Sequence, residues 1–368
     1  MKLFECQKCG QLIYFENTQC ERCGSALGFL PDAAMLTALQ VSGSGSFTPL
    51  SDPSRSVSYC ANFEHKACNW LVDAGSGSLC PACKLNRTIP DLTQPENLRL
   101  WQRIEVAKHR LAYSLLRLGL PVASKIEQPE TGLAFDFLAP LPGEDGQGKI
   151  LTGHDHGEIT LNVAEADDAV RAEIRQKMHE PYRTLLGHFR HEIAHYYFER
   201  LVQDKPAYGL FRKTFGDETK DYNQALQTHY ANGAPPDWQE HHISAYASSH
   251  PHEDWAETFA HYLHMVDTLE TAYAFGLRIR PRAGQDNLKA SITFDPYKQP
   301  DFDTIIEAWI PMTFAVNSIN RSMGIDDLYP FVISPEVTEK LKVVHDIVKD
   351  SVKQDRTIMQ RVLSLVAL

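Results

Sequence analysis

His191-Glu192-Ile193-Ala194-His195 sets two imidazoles four residues apart with a carboxylate between them. On a helix of 3.6 residues per turn His191 and His195 project from one face, one turn apart. Both can then bind one Zn²⁺ while Glu192 lies beside the metal's open position. This is the pattern of zinc-dependent hydrolysis, in which Glu192 serves as general base toward an attacking water. The flanking sequence supplies the helix. Pro181 can open it, and Leu185, Leu186, Phe189, Ile193, Ala194, Tyr197, Phe198 and Leu201 recur close to helical period with polar neighbours between.

A catalytic zinc keeps three protein ligands and one open position, so a third donor must come from elsewhere in the chain. The best segment runs from His252 through Glu253, Trp255 and Glu257 to His261, and continues as a helix through Tyr262, Leu263, Met265 and Leu269. Glu253 and Glu257 are four apart and share a face. One can bind zinc while the other accepts the outer N–H of a ligand histidine, which fixes its tautomer. His241, His242, His250, His252, His261 and His264 also crowd this region, and read as a solvated polar face beside the cleft rather than as another metal site.

All eight cysteines precede residue 84. Cys6, Cys9, Cys20 and Cys23 form two Cys-x2-Cys pairs, each followed by glycine, as expected of a zinc ribbon whose backbone N–H groups turn toward the thiolates. Cys60, Cys68, Cys80 and Cys83 keep one such pair and space the other two irregularly, with His65 as a substitute ligand. Two four-coordinate structural sites use all eight thiols and leave none over. The N-terminus reaches cysteine within six residues without an apolar run, and nowhere do 18 apolar residues follow one another, so the expectation is a cytoplasmic chain with no membrane segment.

The 368 residues, 43% hydrophobic and 23% charged, suit a globular chain of one large or several smaller domains. Residues 1–90 hold seven Lys+Arg and seven Asp+Glu, so the whole formal charge of −11 falls on residues 91–368. Neither part offers the basic stripe of a nucleic-acid surface. Residues 41–56, rich in Ser, Gly and Pro, read as a flexible linker between a first ribbon over 1–40 and a second four-cysteine module over 57–90. Thr93-x-x-Glu96 is a capping box ahead of a helix whose Leu98, Trp101, Ile104, Ala107, Leu111, Leu115 and Leu118 repeat at three and four, opening a main domain over 91–368. Extended segments are expected at Phe135–Ala139, Lys149–Thr152 and Glu158–Val163, the last alternating as a half-buried strand should. Between His195 and residue 252 no period is clear; the stretch reads as a lid, part of a substrate cleft, or a surface insertion with local helices. Ser334-Pro335 supplies the cap and first position of a C-terminal core helix through Val337, Leu341, Val344 and Ile347.

The pairing of His191–His195 with Glu253-x-x-Ala256-Glu257 resembles the gluzincin metallopeptidases, notably the lethal-factor type. That resemblance implies Glu253 as zinc ligand, Glu257 as the partner of a ligand histidine, and Tyr246, seven residues before Glu253, as the transition-state-stabilising tyrosine. A broader resemblance spans nearly the whole chain. The cysteine knuckles, Cys68-Asn-Trp-Leu71, the segment from Cys83 to Pro90, the histidine helix and His250-Pro-His-Glu-Asp-Trp-Ala-Glu257 are similar to those of the bacterial zinc-ribbon, zinc-binding metallopeptidases. It implies an α+β fold, a zincin-like metallopeptidase domain preceded by small zinc-ribbon modules, with one catalytic and two structural Zn²⁺. In zincins the strand ahead of the zinc helix is commonly the edge that receives substrate backbone, which here would be Glu158–Val163. The expected activity is peptide hydrolysis on a peptide or protein substrate. The rival is a zinc-ribbon adaptor that binds a protein partner through a peptidase-like domain without cutting it; retention of Glu192 between the histidines favours the enzyme.

Overall fold

Gly10 and Gly24 follow the first two cysteine pairs at φ of +70° and +71°, a left-handed backbone that a Cβ would strain. Their N–H groups donate to the Cys6 and Cys20 carbonyls at 2.8 Å and close each knuckle. The computed structural model describes residues 2–139, 152–178, 184–283 and 288–366, with side chains for all of these except 174–178 and 354–366. Pro181, expected to open the histidine helix, and nearly all of the expected strand Lys149–Thr152 lie outside the described residues. The chain is α+β and divides into two compact units, residues 1–117 with 121–189, and residues 118–120 with 190–368.

In the first unit β1 (Phe4–Glu5) pairs with β2 (Leu12–Ile13), and β3 (Leu27–Leu30), β4 (Met35–Gly43), β5 (Ser46–Pro49), β6 (Val57–Tyr59) and β7 (Leu71–Asp73) form one antiparallel sheet in sequence order. Residues 41–56 are therefore not a flexible linker. Ser44 and Gly45 make the turn of the β4/β5 hairpin, and Arg55 beyond it bonds Asp32 and Asp73, both at 2.8 Å. Small residues serve a tight turn as readily as a loose connection, so composition alone misleads here. The cysteine modules also share a core, in which Phe29 stacks at 4.9 Å on Trp70 and 4.8 Å from Phe15. Asn69, next to Cys68, donates to the Phe15 and Asn17 carbonyls at 2.7 and 3.2 Å.

β8 (Asn86–Thr88) leads to α1 (Pro95–Leu118), which begins with proline at its first position. The Thr93 capping box does not form: its hydroxyl donates instead to Asp91 at 2.7 Å, and Glu96 pairs with Arg99. β9 (Ala134–Leu138), β10 (Gly153–Asp155) and β11 (Glu158–Asn162) complete a four-stranded sheet ordered β10-β11-β9-β8. Ile159 and Leu161 of β11 are buried as their alternation predicts. β11, however, pairs on both sides, antiparallel to β10 and parallel to β9, so it is not an edge strand. α2 (Asp168–Met178) follows.

The division between units falls inside α3 (Leu185–Leu201), and α1 belongs almost wholly to the first unit, so residues 91–368 do not make a single separate body. The second unit holds α4 (Tyr208–Phe215), α5 (Tyr222–Asn232) and α6 (Trp238–His241), the local helices of the stretch without a clear period. Then come α7 (Pro251–Ala274), a small hairpin of β12 (Arg278–Ile279) and β13 (Ala290–Ser291), α8 (Phe302–Ser322) and α9 (Pro335–Val366). α7 packs on α8 and α9, and Phe259, Leu263 and Val266 of α7 and Val344 of α9 are fully buried. The Ser334 cap is as expected, its hydroxyl accepting from Val337 N at 3.1 Å. Among the described residues no helix is long and apolar enough to cross a membrane.

Candidate metal centre and cysteine clusters

Two helices present the donors of the first cluster. α3 carries His191 and His195 on one face, held by Phe189, Ile193, Ala194, Tyr197 and Phe198 in the core. α7 starts at a proline in its first turn, and His250 caps it by accepting from His252 N at 3.2 Å. The buried Trp255 indole donates to the Ala194 carbonyl of α3 at 2.9 Å, which fixes one helix against the other. Glu253 is thereby brought to both histidines.

His195 Nε2 lies 3.3 Å from His191 Nε2; Glu253 Oε2 lies 3.0 Å from His191 Nε2, and Glu253 Oε1 lies 3.7 Å from His195 Nε2. Donors around a tetrahedral Zn²⁺ at about 2.0–2.1 Å would sit about 3.3 Å apart. Glu253 is 1% exposed, and its Oε2 makes no hydrogen bond. A buried carboxylate oxygen without a donor is costly unless a cation faces it. The other side of the ring completes the case. His191 Nδ1 donates to Glu257 Oε1 at 2.7 Å, leaving the Nε2 lone pair toward Glu253, and Ser244 Oγ holds Glu257 Oε2 at 2.6 Å. Without a metal the two carboxylates make a strongly anionic pocket that attracts positive charge, whether a proton or a metal ion. Burial opposes charge on His191, but Glu253 and Glu257 raise its pKa well above the ordinary value. Against their own burial, the histidines hold Glu253 well below the carboxylate range, and His191 draws Glu257 down to about 2. The residues fit a divalent metal of zinc type.

Glu192 is buried on the same turn of α3; burial lowers the His195 pKa despite the nearby Glu253 and Glu192 charges, and burial, then Glu253, raises that of Tyr222. Tyr246 sits in a 3-10 turn, Tyr246–Ser248, with its ring 5.9 Å from that of His191, and its pKa is pushed far up, first by burial and then by Glu253. Sequence reasoning missed Tyr222. Its hydroxyl donates to Glu253 Oε1 at 2.6 Å, with Tyr246 also in hydrogen-bond reach. A lone tyrosine in a stretch without a period gave no signal for it.

Three of the six extra histidines are not on a solvated face. His250, His261 and His264 are buried, with His250 bonded to the Lys220 carbonyl, His261 to the Tyr329 hydroxyl at 2.7 Å and His264 to Arg190 at 2.5 Å. His242 faces Asp254 at 3.2 Å and His241 faces Glu336 at 2.6 Å. Among the described residues none of them joins a cluster of metal-type donors.

The eight cysteines, all free thiols, fall into the two expected clusters. Sulfurs lie 3.7 Å apart for Cys6–Cys23, 3.6 Å for Cys9–Cys20 and 3.8 Å for Cys68–Cys80, against about 3.8 Å for thiolates around a tetrahedral zinc. In the second cluster Trp70 N donates to Cys68 Sγ at 3.3 Å and Cys80 N to Cys60 Sγ at 3.4 Å. His65 is no substitute ligand: its ring packs 6.0 Å from Trp101 and lies outside the cluster.

Comparison with known proteins agrees with this arrangement. Residues 3–94 match a zinc-ribbon domain family. The chain is 44% identical to uncharacterized proteins of Mycobacterium bovis and of two strains of Mycobacterium tuberculosis, over 95% of this chain and 96% of theirs. No solved structure matches it. Residues 97–347, more than half of the length, match a family described as "putative zinc-binding metallo-peptidase", and the chain belongs to that family.

Proposed function

We propose that the chain is a zinc-dependent peptidase of the gluzincin pattern, with His191, His195 and Glu253 as the ligands of one catalytic zinc and the two four-cysteine clusters as structural zinc sites. One observation carries the reading: the buried Glu253 carboxylate, with an oxygen that makes no hydrogen bond, faces two imidazole Nε2 atoms on a helix that also carries Glu192. Zn²⁺ bound there supplies Lewis acidity and brings the pKa of a water from about 15.7 toward about 7. Glu192 takes the proton of the attacking water and returns it to the leaving amine. Tyr246 donates to the developing oxyanion, its high pKa keeping the proton in place until then. Tyr222 orients the Glu253 carboxylate, and Glu257, anchored by Ser244, fixes the His191 tautomer. The ribbons dock a protein partner or present substrate, their balanced charge being unsuited to nucleic acid. Eight free thiols in metal-type clusters suit the reducing cytoplasm.

Glu192→Gln tests the proposal, because the amide keeps the shape and cannot accept the proton. Metal content of the full chain should be unchanged, while cleavage of a peptide library falls by about 10²-fold or more. Cleavage as fast as wild type would exclude Glu192 as the base. No cleavage by either protein would favour the adaptor.

A further inference from the structure

Among the described residues only the second cysteine cluster has a histidine at its shoulder. His109, buried on α1, places Nε2 3.6 Å from Cys83 Sγ and 4.0 Å from Cys80 Sγ. Its other nitrogen is committed: Nδ1 lies 2.6 Å from the Glu105 backbone carbonyl, a group that can only accept, so Nδ1 carries the hydrogen. That is how metal-ligating histidines are wired, with the outer N–H on a carbonyl or carboxylate and the Nε2 lone pair turned to the metal. The spacing agrees. A nitrogen at about 2.0–2.1 Å and a sulfur at about 2.3 Å from one tetrahedral zinc lie about 3.6 Å apart. Trp70 braces the imidazole edge-on at 5.2 Å, so the ring cannot turn away freely.

The neighbours favour Cys83 as the ligand that yields. Glu105 Oε2 stands 3.8 Å from Cys83 Sγ and can accept its S–H, so a Cys83 thiol off the metal has a partner. The other oxygen of Glu105 is held by the buried Lys108 at 2.8 Å and the half-buried Asn86 at 2.9 Å. The buried Lys108 ammonium supplies the positive charge of that corner, so Glu105 is left to accept a hydrogen bond from Cys83 rather than to bind a second metal. The first cluster has no such reserve, since its donors among the described residues are its four thiols alone.

We propose that the second zinc-ribbon site carries five donors for a four-coordinate metal, and that His109 replaces Cys83 when that thiolate is lost, converting a four-sulfur site to three sulfurs and one nitrogen without release of the ion. The exchange would replace one metal–sulfur bond by a metal–nitrogen bond; the freed sulfur would take a proton from solvent water, and no electrons would be transferred.

The test compares metal content of purified full-length variants. Cys83→Ala should keep the wild-type number of metal ions per chain, Cys83→Ala with His109→Ala should lose one, and Cys23→Ala in the first ribbon should lose one on its own. Cobalt-loaded Cys83→Ala should show weaker sulfur-to-metal charge transfer and ligand-field bands shifted to shorter wavelength than His109→Ala. Since Cys83→Ala removes a buried side chain, a second measurement leaves the cysteines intact: zinc release during stepwise titration with a mercurial should come at fewer modified thiols in His109→Ala than in wild type. Loss of metal from Cys83→Ala alone, or identical release curves for His109→Ala and wild type, would overturn the proposal and make His109 only a hydrogen-bonding neighbour of the thiolates.

Discussion

At the scale of single residues, spacing told which side chains could share a metal and left open which carboxylate would do so. Glu253 and Glu257 lie on one helical face. The structure separates them: Glu253 meets both Nε2 atoms, whereas Glu257 meets the Nδ1 side of His191. Glu253→Ala should therefore abolish metal binding at this centre, and Glu257→Ala should weaken it about 10–100-fold, as for the partner of a ligand histidine. Tyr222→Phe should keep the metal with a smaller loss of affinity. Chelator competition on the three variants gives the order, and a greater loss for Glu257→Ala would make that residue the ligand. The histidines misread as solvated show the limit of such reading. Each is polar in composition, yet His250, His261 and His264 are buried against a carbonyl, a hydroxyl and a guanidinium, partners that lie far away in sequence.

Among the elements, the long helices were legible because periods near 3.6 persist over many turns in α1 and α9. Short strands were less so. β11 showed its inward residues but not its two neighbours, because alternation reports which face is buried and says nothing of pairing. Its sheet is crossed by Arg87 of β8, which binds Asp136 of β9 and Glu158 of β11. Burial pushes Asp136 up and Arg87 more than reverses it; for Glu158 the Arg87 bond dominates, and both carboxyls end below their ordinary values. Depressed folded-state pKa values mean a contribution fully present above the unfolded values, about 3.9–4.3, and lost as pH falls through the folded ones. Arg87→Met should thus cost about 0.5–1 kcal/mol near neutrality, the half-exposed guanidinium limiting the effect, and almost nothing at an acid pH that protonates both carboxyls. Denaturant melts at the two pH values check this; a gap of the same size at both would show that Arg87 acts by packing instead.

For the molecule as a whole, the sequence suggested a cut near residue 90 between ribbons and peptidase, where cysteines stop and a long helix starts. The structure joins what that cut would divide, since Ala112 and Tyr113 of α1 lie in the same core as Phe29, Trp70 and the cysteines. A chain of residues 91–368 should lose near-ultraviolet dichroism and associate on gel filtration, because the buried Glu105, Lys108 and His109 would be uncovered. A monomer with native dichroism would restore the boundary at 90. A related consequence follows from Asn69, which sits beside a thiolate of the second cluster and bonds the loop between the two knuckles of the first. The backbone of the first cluster is thus held in part from the second, so metals bound at the two would be thermodynamically linked, filling one raising the affinity of the other. At limiting zinc, native mass spectrometry of the full chain should find more chains with both cysteine clusters filled, and fewer with one, than independent sites would give.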